Sequence, residues 1–181
     1  EDLTEDGFLA LLYAIFGILI YVAWRFEWRF AVGAVAALIH DATITFGFFS
    51  LLGLEFDLTV LAAVLALIGY SLNDTIVVFD RIREMFRKLR KETPIEVMNL
   101  SLNQTLSRTL LTSITVIMVL IVLFFAGGEI IHNFSLALLF GIVIGTYSSI
   151  YVASPVALVL GVSKADLMLP EKEGAEISNR P

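Results

Sequence analysis

Long apolar stretches separated by short polar stretches make up most of this chain of 181 residues. A bilayer core about 30 Å thick is crossed by roughly 20 consecutive apolar residues in α-helix. Five stretches reach that length, and they are too continuously apolar to be strands of a membrane barrel. The pattern therefore predicts an all-α polytopic membrane helix bundle with five transmembrane helices, at about 7–24, 30–52, 58–79, 109–126 and 136–160.

The connector between the third and fourth spans, residues 80–108, is polar and is predicted to be helical. In its first part, apolar side chains recur at helical spacing among Arg and Lys, which predicts an amphipathic helix at the membrane surface; they are Ile82, Met85, Phe86 and Leu89. Thr93, Pro94 and Glu96 then match a capping box with proline at the first helical position. This predicts a second helix from about Pro94 that can continue into the fourth span.

Basic residues are confined to alternate polar segments. All twelve Lys and Arg lie after the first span, in residues 80–108, or in the tail 161–181, and the other polar segments hold none. Because basic residues favour cytoplasmic loops, the start of the chain is predicted to lie outside and the flexible tail in the cytoplasm. A start at Glu1, without a signal sequence, leads us to expect a preceding helix, with or without an outside domain.

The composition narrows the classes of function. With 58% hydrophobic and 17% charged residues, the chain differs from a soluble domain and is typical of a membrane protein. It has no cysteine, so disulfides, thiol nucleophiles and thiolate metal sites are excluded. Two histidines far apart in the sequence and a net charge of −6 give no reason to expect a metal, a cofactor or a nucleic-acid partner.

Ionisable residues inside apolar spans are costly and are candidates for function. His40 and Asp41 are predicted near mid-membrane, and Asn73 and Asp74 roughly 8–9 Å from the cytoplasmic end of the third span. Arg108 precedes the fourth apolar run, and its long side chain can reach into the core, so Asp74 and Arg108 lie at compatible depths.

Each site has a structural alternative. Asp74 and Arg108 could form a fixed ion pair that holds two helices together, or Asp74 could bind and release protons as its distance from Arg108 changes. His40 and Asp41 either take part in proton transfer or hydrogen-bond a neighbouring helix. In the last span, Gly141, Gly145 and Ser149 form a stripe of small residues that favours close helix packing.

Four motifs resemble the SecF family, the membrane subunits of the bacterial SecDF protein-export complex. They are "ALIHDATITFG" at 37–47, "GYSLNDTIVVFDRIRE" at 69–84, "SLNQTLSRTLLTS" at 101–113 and "SSIYVASPVAL" at 148–158. The resemblance covers nearly the whole chain. It implies the fold of the resistance-nodulation-division exporters, with six helices and a periplasmic domain after the first, of which this chain lacks the first helix and the domain.

The resemblance also implies a function in the bacterial cytoplasmic membrane. Such a subunit would act with SecD, with the SecYEG translocon and with SecA-driven preprotein, and it would use the proton motive force in late export rather than act as an enzyme. Asp74 and Arg108 match required positions of the family, and His40–Asp41 match its "LIHD" motif. A proton-driven small-molecule exporter of the same superfamily and a passive translocon scaffold are the alternatives. An intramembrane aspartyl protease is disfavoured because Asp41 and Asp74 lie at different depths.

Overall fold

The computed structural model describes residues 2–89 and 91–162, and every regular element in that part of the chain is helical. The elements are α1 Asp2–Arg25, α2 Trp28–Leu51, α3 Leu58–Lys88, α4 Pro94–Ala126, α5 Gly128–Ser148, a π-helical turn Ser149–Ala153 and α6 Ser154–Val159. The all-α prediction is confirmed. Of the predicted tail, residues 163–181 lie outside the described residues.

Four helical segments of the described chain are long and apolar enough to cross a membrane. They are Trp28–Leu51, Leu58–Lys88, Pro94–Ala126 and Gly128–Val159. The described side chains of α1 contribute a shorter apolar helix, Ile15–Arg25. Each of these helices overlaps one of the five apolar stretches of the sequence, and the third and fourth helices extend well beyond theirs.

Helix α3 continues beyond the third apolar stretch without a break. At its start, the carboxylate of Asp57 accepts hydrogen bonds from the Thr59 hydroxyl at 2.7 Å and from the Val60 amide at 2.9 Å. These bonds hold the pKa of Asp57 below its usual range. No proline interrupts the sequence before Lys88, so the predicted surface helix is the last part of α3 and not a separate element.

The predicted helix start at Pro94 is confirmed. The Thr93 hydroxyl accepts a bond from the Glu96 amide at 3.4 Å, and the Glu96 carboxylate accepts one from the Thr93 amide at 2.8 Å, which completes the capping box. From there α4 runs unbroken for 33 residues to Ala126. Most of the polar connector therefore extends the third and fourth helices.

The last span is divided by the π-helical turn. Pro155 lies in the first turn of α6, where it cannot donate a backbone hydrogen bond to the preceding turn. The Ser154 hydroxyl donates to the carbonyl oxygen of Ser149 at 3.3 Å, across the wider turn. Turns of this kind inside α-helices frequently lie at functional sites.

Helix α5 is central in the bundle and packs against α2, α3 and α4. At the end where α1 meets α2, the rings of Phe26, Phe30 and Phe79 pack with centroid distances between 4.8 and 6.3 Å. The outer side of α4 stays exposed and apolar, and its exposed side chains include Leu110, Leu111, Ile114, Met118, Val122 and Phe125. A contiguous exposed apolar face of this kind marks a surface that contacts lipid or another chain.

Candidate intramembrane polar site

Asp41 forms the best-connected polar centre in the described part of the bundle. Its side chain is fully buried, and Oδ2 accepts hydrogen bonds from the Ser71 hydroxyl at 2.5 Å and from the Ser148 hydroxyl at 2.8 Å. Nδ1 of His40 lies 3.0 Å from Oδ1. The carboxylate of α2 is thereby joined to α3 and α5, as a buried polar group requires.

Glycines on α5 make this close arrangement possible. A Cβ at position 145 would lie 3.2 Å from Cβ of Ser71 and 3.5 Å from Oδ2 of Asp41. A Cβ at position 141 would collide with the Leu67 side chain. Residues without side chains at these two positions allow α5 to approach α3 closely enough for the hydroxyl groups to reach Asp41.

Hydroxyl groups continue from this centre along α3 and the π-helical turn. The Ser149 hydroxyl donates to the Gly145 carbonyl at 2.9 Å and lies 3.0 Å from the Thr75 hydroxyl. The Ser148 hydroxyl also reaches the Gly145 carbonyl, at 3.1 Å. Gly145 therefore contributes a shared carbonyl acceptor, and Thr75 brings the polar region to the residue next to Asp74.

Asp74 lies in a different environment from Asp41. Its side chain is only 3% exposed, and its Oδ2 has no hydrogen-bond partner within the described residues. Asn73, its neighbour in the sequence, is exposed and does not share this position. An unpartnered buried carboxylate oxygen is costly, so Asp74 is the least satisfied acid of the described bundle.

Arg108 is exposed and lines an open cleft of about 480 Å³ between α3 and α4. It acts on Asp74 electrostatically, without a hydrogen bond between them in the described structure. Across the same cleft, Nε of Arg81 on α3 donates to Oε1 of Gln104 on α4 at 2.8 Å. The structure thus places Arg108 near Asp74 but does not pair the two side chains.

Several site residues were missed by sequence reasoning. Ser71, Thr75 and Ser148 carry much of the polar network. Of the hydroxyl residues in this network, only Ser149 was predicted from the sequence, and only as a packing residue. The sequence signal for these residues is weak. It consists of serine and threonine four residues apart on an apolar helix, as at Ser71 and Thr75. Such residues more often bond to their own helix, as Thr146 does to Ile142.

A metal centre is not formed by the described residues, which contain no group of three or more His, Asp and Glu side chains in ligating arrangement. His132 instead packs against the ring of Phe124, with centroids 4.1 Å apart. His40, by contrast, is part of the Asp41 centre.

Comparison with known proteins identifies the family. Residues 1–163 match the family described as protein export membrane protein SecD/SecF, C-terminal. The chain belongs to this SecD/SecF family. The match includes every described helix, so the polar centre around Asp41 and the buried Asp74 lie within the matched region.

Curated relatives in this SecD/SecF family are named protein translocase subunit SecF. The chain is 60% identical to that of Vibrio alginolyticus over its whole length, and it covers 58% of the relative. It is 54% identical to that of Escherichia coli O157:H7, with 97% of the chain and 55% of the relative covered. The chain thus spans a little over half the length of these relatives, whose name is that of a transport subunit.

Solved structures of SecDF share the fold. One is described as SecDF, a translocon-associated membrane protein, from Thermus thermophilus, and it matches 88% of this chain with a TM-score of 0.85 and 47% identity. A second, of SecDF in a super-membrane-facing form, has a TM-score of 0.83. In both cases the match covers 22% of the larger SecDF chain.

Proposed function

We propose that this chain is the helical membrane part of a SecF-type translocase subunit that assists protein export by coupling it to proton flow. Membership of the SecD/SecF family and the relatives named SecF support the export role. The observation that supports the coupling is the buried Asp74, which has an unpartnered oxygen and interacts electrostatically with Arg108.

The proposed partner in the membrane is SecD, because the matching structures are of SecDF. The exposed apolar side of α4 is available for helices or lipid. On the proposed orientation the α2–α3 loop lies outside and the α3–α4 loop in the cytoplasm, since the first contains no Lys or Arg and the second is basic. The complete complex would contact SecYEG and the SecA-driven preprotein.

Two states would give the unpartnered Oδ2 of Asp74 a bonding partner. Either a proton binds the carboxylate, or Arg108 moves from the cleft to pair with it. Alternation between the two changes how closely α3 and α4 approach, and would thereby transmit proton passage to the rest of the subunit. Each charge that crosses 100 mV contributes about 2.3 kcal/mol, which is enough to shift a two-state equilibrium about fifty-fold.

The Asp41 centre has a supporting role in this proposal. Because Asp41 binds hydroxyls from α3 and α5 and contacts His40, it holds the helices that surround Asp74 in register. Thr75 and Ser149 extend the polar region from there toward Asp74. His40 and Asp41 are therefore proposed to assist proton transfer, with Asp74 as the residue that couples it to movement.

The test is Asp74→Asn in the full-length subunit, assembled with SecD in inverted membrane vesicles. Completion of preprotein export is measured with and without a proton gradient. We expect the gradient-dependent part of the rate to fall by about tenfold or more, because the amide cannot be charged. Copurification with SecD should be unchanged.

Asp57→Asn is the matched control. It makes the same chemical change at an exposed helix cap, where asparagine caps as well as aspartate. Gradient-dependent export should be normal in this variant. If Asp74→Asn also exported at the normal gradient-dependent rate, the chain would be a passive scaffold and the coupling proposal would fail.

A further inference from the structure

A cluster of basic side chains lies where the end of α1 meets the outer part of α3. Arg25, Arg83, Arg87 and Lys88 surround a cavity of about 420 Å³ together with Asp80 and Glu84. Four cations and two carboxylates leave an excess of two positive charges on its lining. This cavity adjoins the cleft that holds Arg108 and shares Asp80 and Glu84 with it, but the four basic side chains line this cavity alone of the two.

The two carboxylates order the basic side chains rather than neutralise them fully. Asp80 pairs with Arg25 at 3.1 Å and lies 3.8 Å from Arg83, and Glu84 pairs with Lys88 at 2.6 Å. Glu84 also binds Arg81, outside the cluster. Each acid is thus shared between two cations, which leaves positive charge for an additional anion.

Arg83 is held in place at the centre of the cluster. Its guanidinium lies over the Phe26 ring, 5.5 Å from the centroid, and NH1 donates to the carbonyl oxygen of Arg25 at 3.5 Å. Arg25 and Arg87 are close enough to repel the charge of Arg83, and Asp80 and Glu27 are close enough to attract it. A guanidinium fixed among other cations is well suited to bind an anion such as phosphate.

Exposed aromatic residues show where the cluster lies relative to the membrane. Trp24 and Trp28 flank Arg25 and are 86% and 57% exposed. Tryptophan is enriched at the level of the lipid headgroups. Asp80 is level with Arg25 through their ion pair, so Arg83 and Lys88 lie about 5–12 Å further out along α3. The basic cluster therefore lies in the headgroup layer.

We propose that this cluster, Arg25, Arg83, Arg87 and Lys88, binds the phosphate of an anionic membrane lipid. A phosphodiester beneath the headgroup would fill the cavity between the guanidinium groups, while its acyl chains lie along the exposed apolar surface of α1. The proposal depends on membrane insertion of the helices and not on proton coupling. Free phosphate shares the chemistry, but the interfacial position selects the lipid.

The test uses the purified full-length subunit in neutral detergent and counts bound lipid by native mass spectrometry. Phosphatidylglycerol and phosphatidylcholine with the same acyl chains are titrated in parallel. We expect selective retention of phosphatidylglycerol, reduced about fivefold by Arg83→Gln, which is the effect of one basic residue at an anionic surface. Lys88→Gln changes a more exposed side chain and should also reduce retention of phosphatidylglycerol. It replaces Arg83→Gln in the test if that variant does not fold.

Lys91→Gln is the matched control, because it removes the same charge just beyond the end of α3, at a side chain that does not line the cavity. It should leave retention of phosphatidylglycerol unchanged. An equal reduction in Lys91→Gln and Arg83→Gln would mean attraction by overall charge, and would overturn the site. Equal retention of the two lipids, or displacement of the lipid by inorganic phosphate at equal concentration, would also overturn it.

Discussion

The two aspartates within the predicted spans, Asp41 and Asp74, differ in their hydrogen bonding. Asp41 has two hydroxyl donors and a histidine nitrogen in hydrogen-bonding distance, whereas Oδ2 of Asp74 has no partner in the described chain. A buried acid with all its hydrogen bonds made stabilises the packing of the helices that it joins. A buried acid without such bonds is stabilised when it binds a proton or pairs with a cation. This difference is the reason for assigning coupling to Asp74 and support to Asp41.

Replacement of Asp41 should therefore act mainly on stability. Asp41→Ala leaves the hydroxyls of Ser71 and Ser148 without their acceptor and opens a cavity, so we expect a loss of about 2 kcal/mol in the free energy of unfolding. Asp41→Asn retains an acceptor oxygen and the volume, and should cost less than about 1 kcal/mol. Unfolding in bicelles measures both. Equal losses in the two variants would show that the hydrogen bonds to Asp41 are not what stabilises the site.

At the scale of helices, the decisive contact is the approach of α5 to α3. A Cβ at position 141 would collide with the Leu67 side chain, and a Cβ at position 145 would press against Ser71 at 3.2 Å. Without this approach, the hydroxyl of Ser148 on α5 could not lie within 2.8 Å of Asp41 on α2. The small-residue stripe thus also determines the geometry of the polar centre.

Gly141→Ala tests this contact. The added methyl group collides with Leu67, so we expect the free energy of unfolding to fall by about 1–3 kcal/mol. Gly47→Ala is the matched control, since its Cβ meets nothing within 4 Å and alanine favours helix. That variant should be unchanged or more stable by up to about 1 kcal/mol. Similar losses in both would show that the α3–α5 approach is not tightly packed.

At the scale of the whole molecule, charge and hydropathy divide the bundle into two ends. The α2–α3 loop contains Glu55 and Asp57 without a basic residue, and the α3–α4 end contains the basic cluster and the cleft of Arg108. Cytoplasmic loops are the basic ones. Arg108, the proposed partner of Asp74, therefore lies toward the end that we propose to be cytoplasmic.

Cysteine labelling tests the orientation directly, because this chain contains no cysteine of its own. In the full-length subunit with any other cysteines removed, Glu55→Cys should react with a membrane-impermeant maleimide in cells whose outer membrane alone has been made permeable. Glu92→Cys should react only after the inner membrane is opened. The opposite pattern of labelling would reverse the orientation and with it the proposed direction of proton flow.

The sequence by itself determined the all-α membrane fold, the helix start at Pro94 and the burial of Asp41 and Asp74. These features depend on local properties, namely apolar length, capping chemistry and position within a span. The sequence also indicated the family through motifs such as "SLNDT" around Asp74, and the match over residues 1–163 shows it.

Only the tertiary structure decided which groups meet. Asp41 is bonded to residues 30 and 107 positions away in the chain, and no local pattern specifies the rotation of three helices that brings them together. The same holds for Arg108, which lies in the cleft without a bond to Asp74, and for Arg25, which joins Arg83 across α1 and α3. Depth follows from the sequence of one helix, whereas partners depend on how several helices cross and turn.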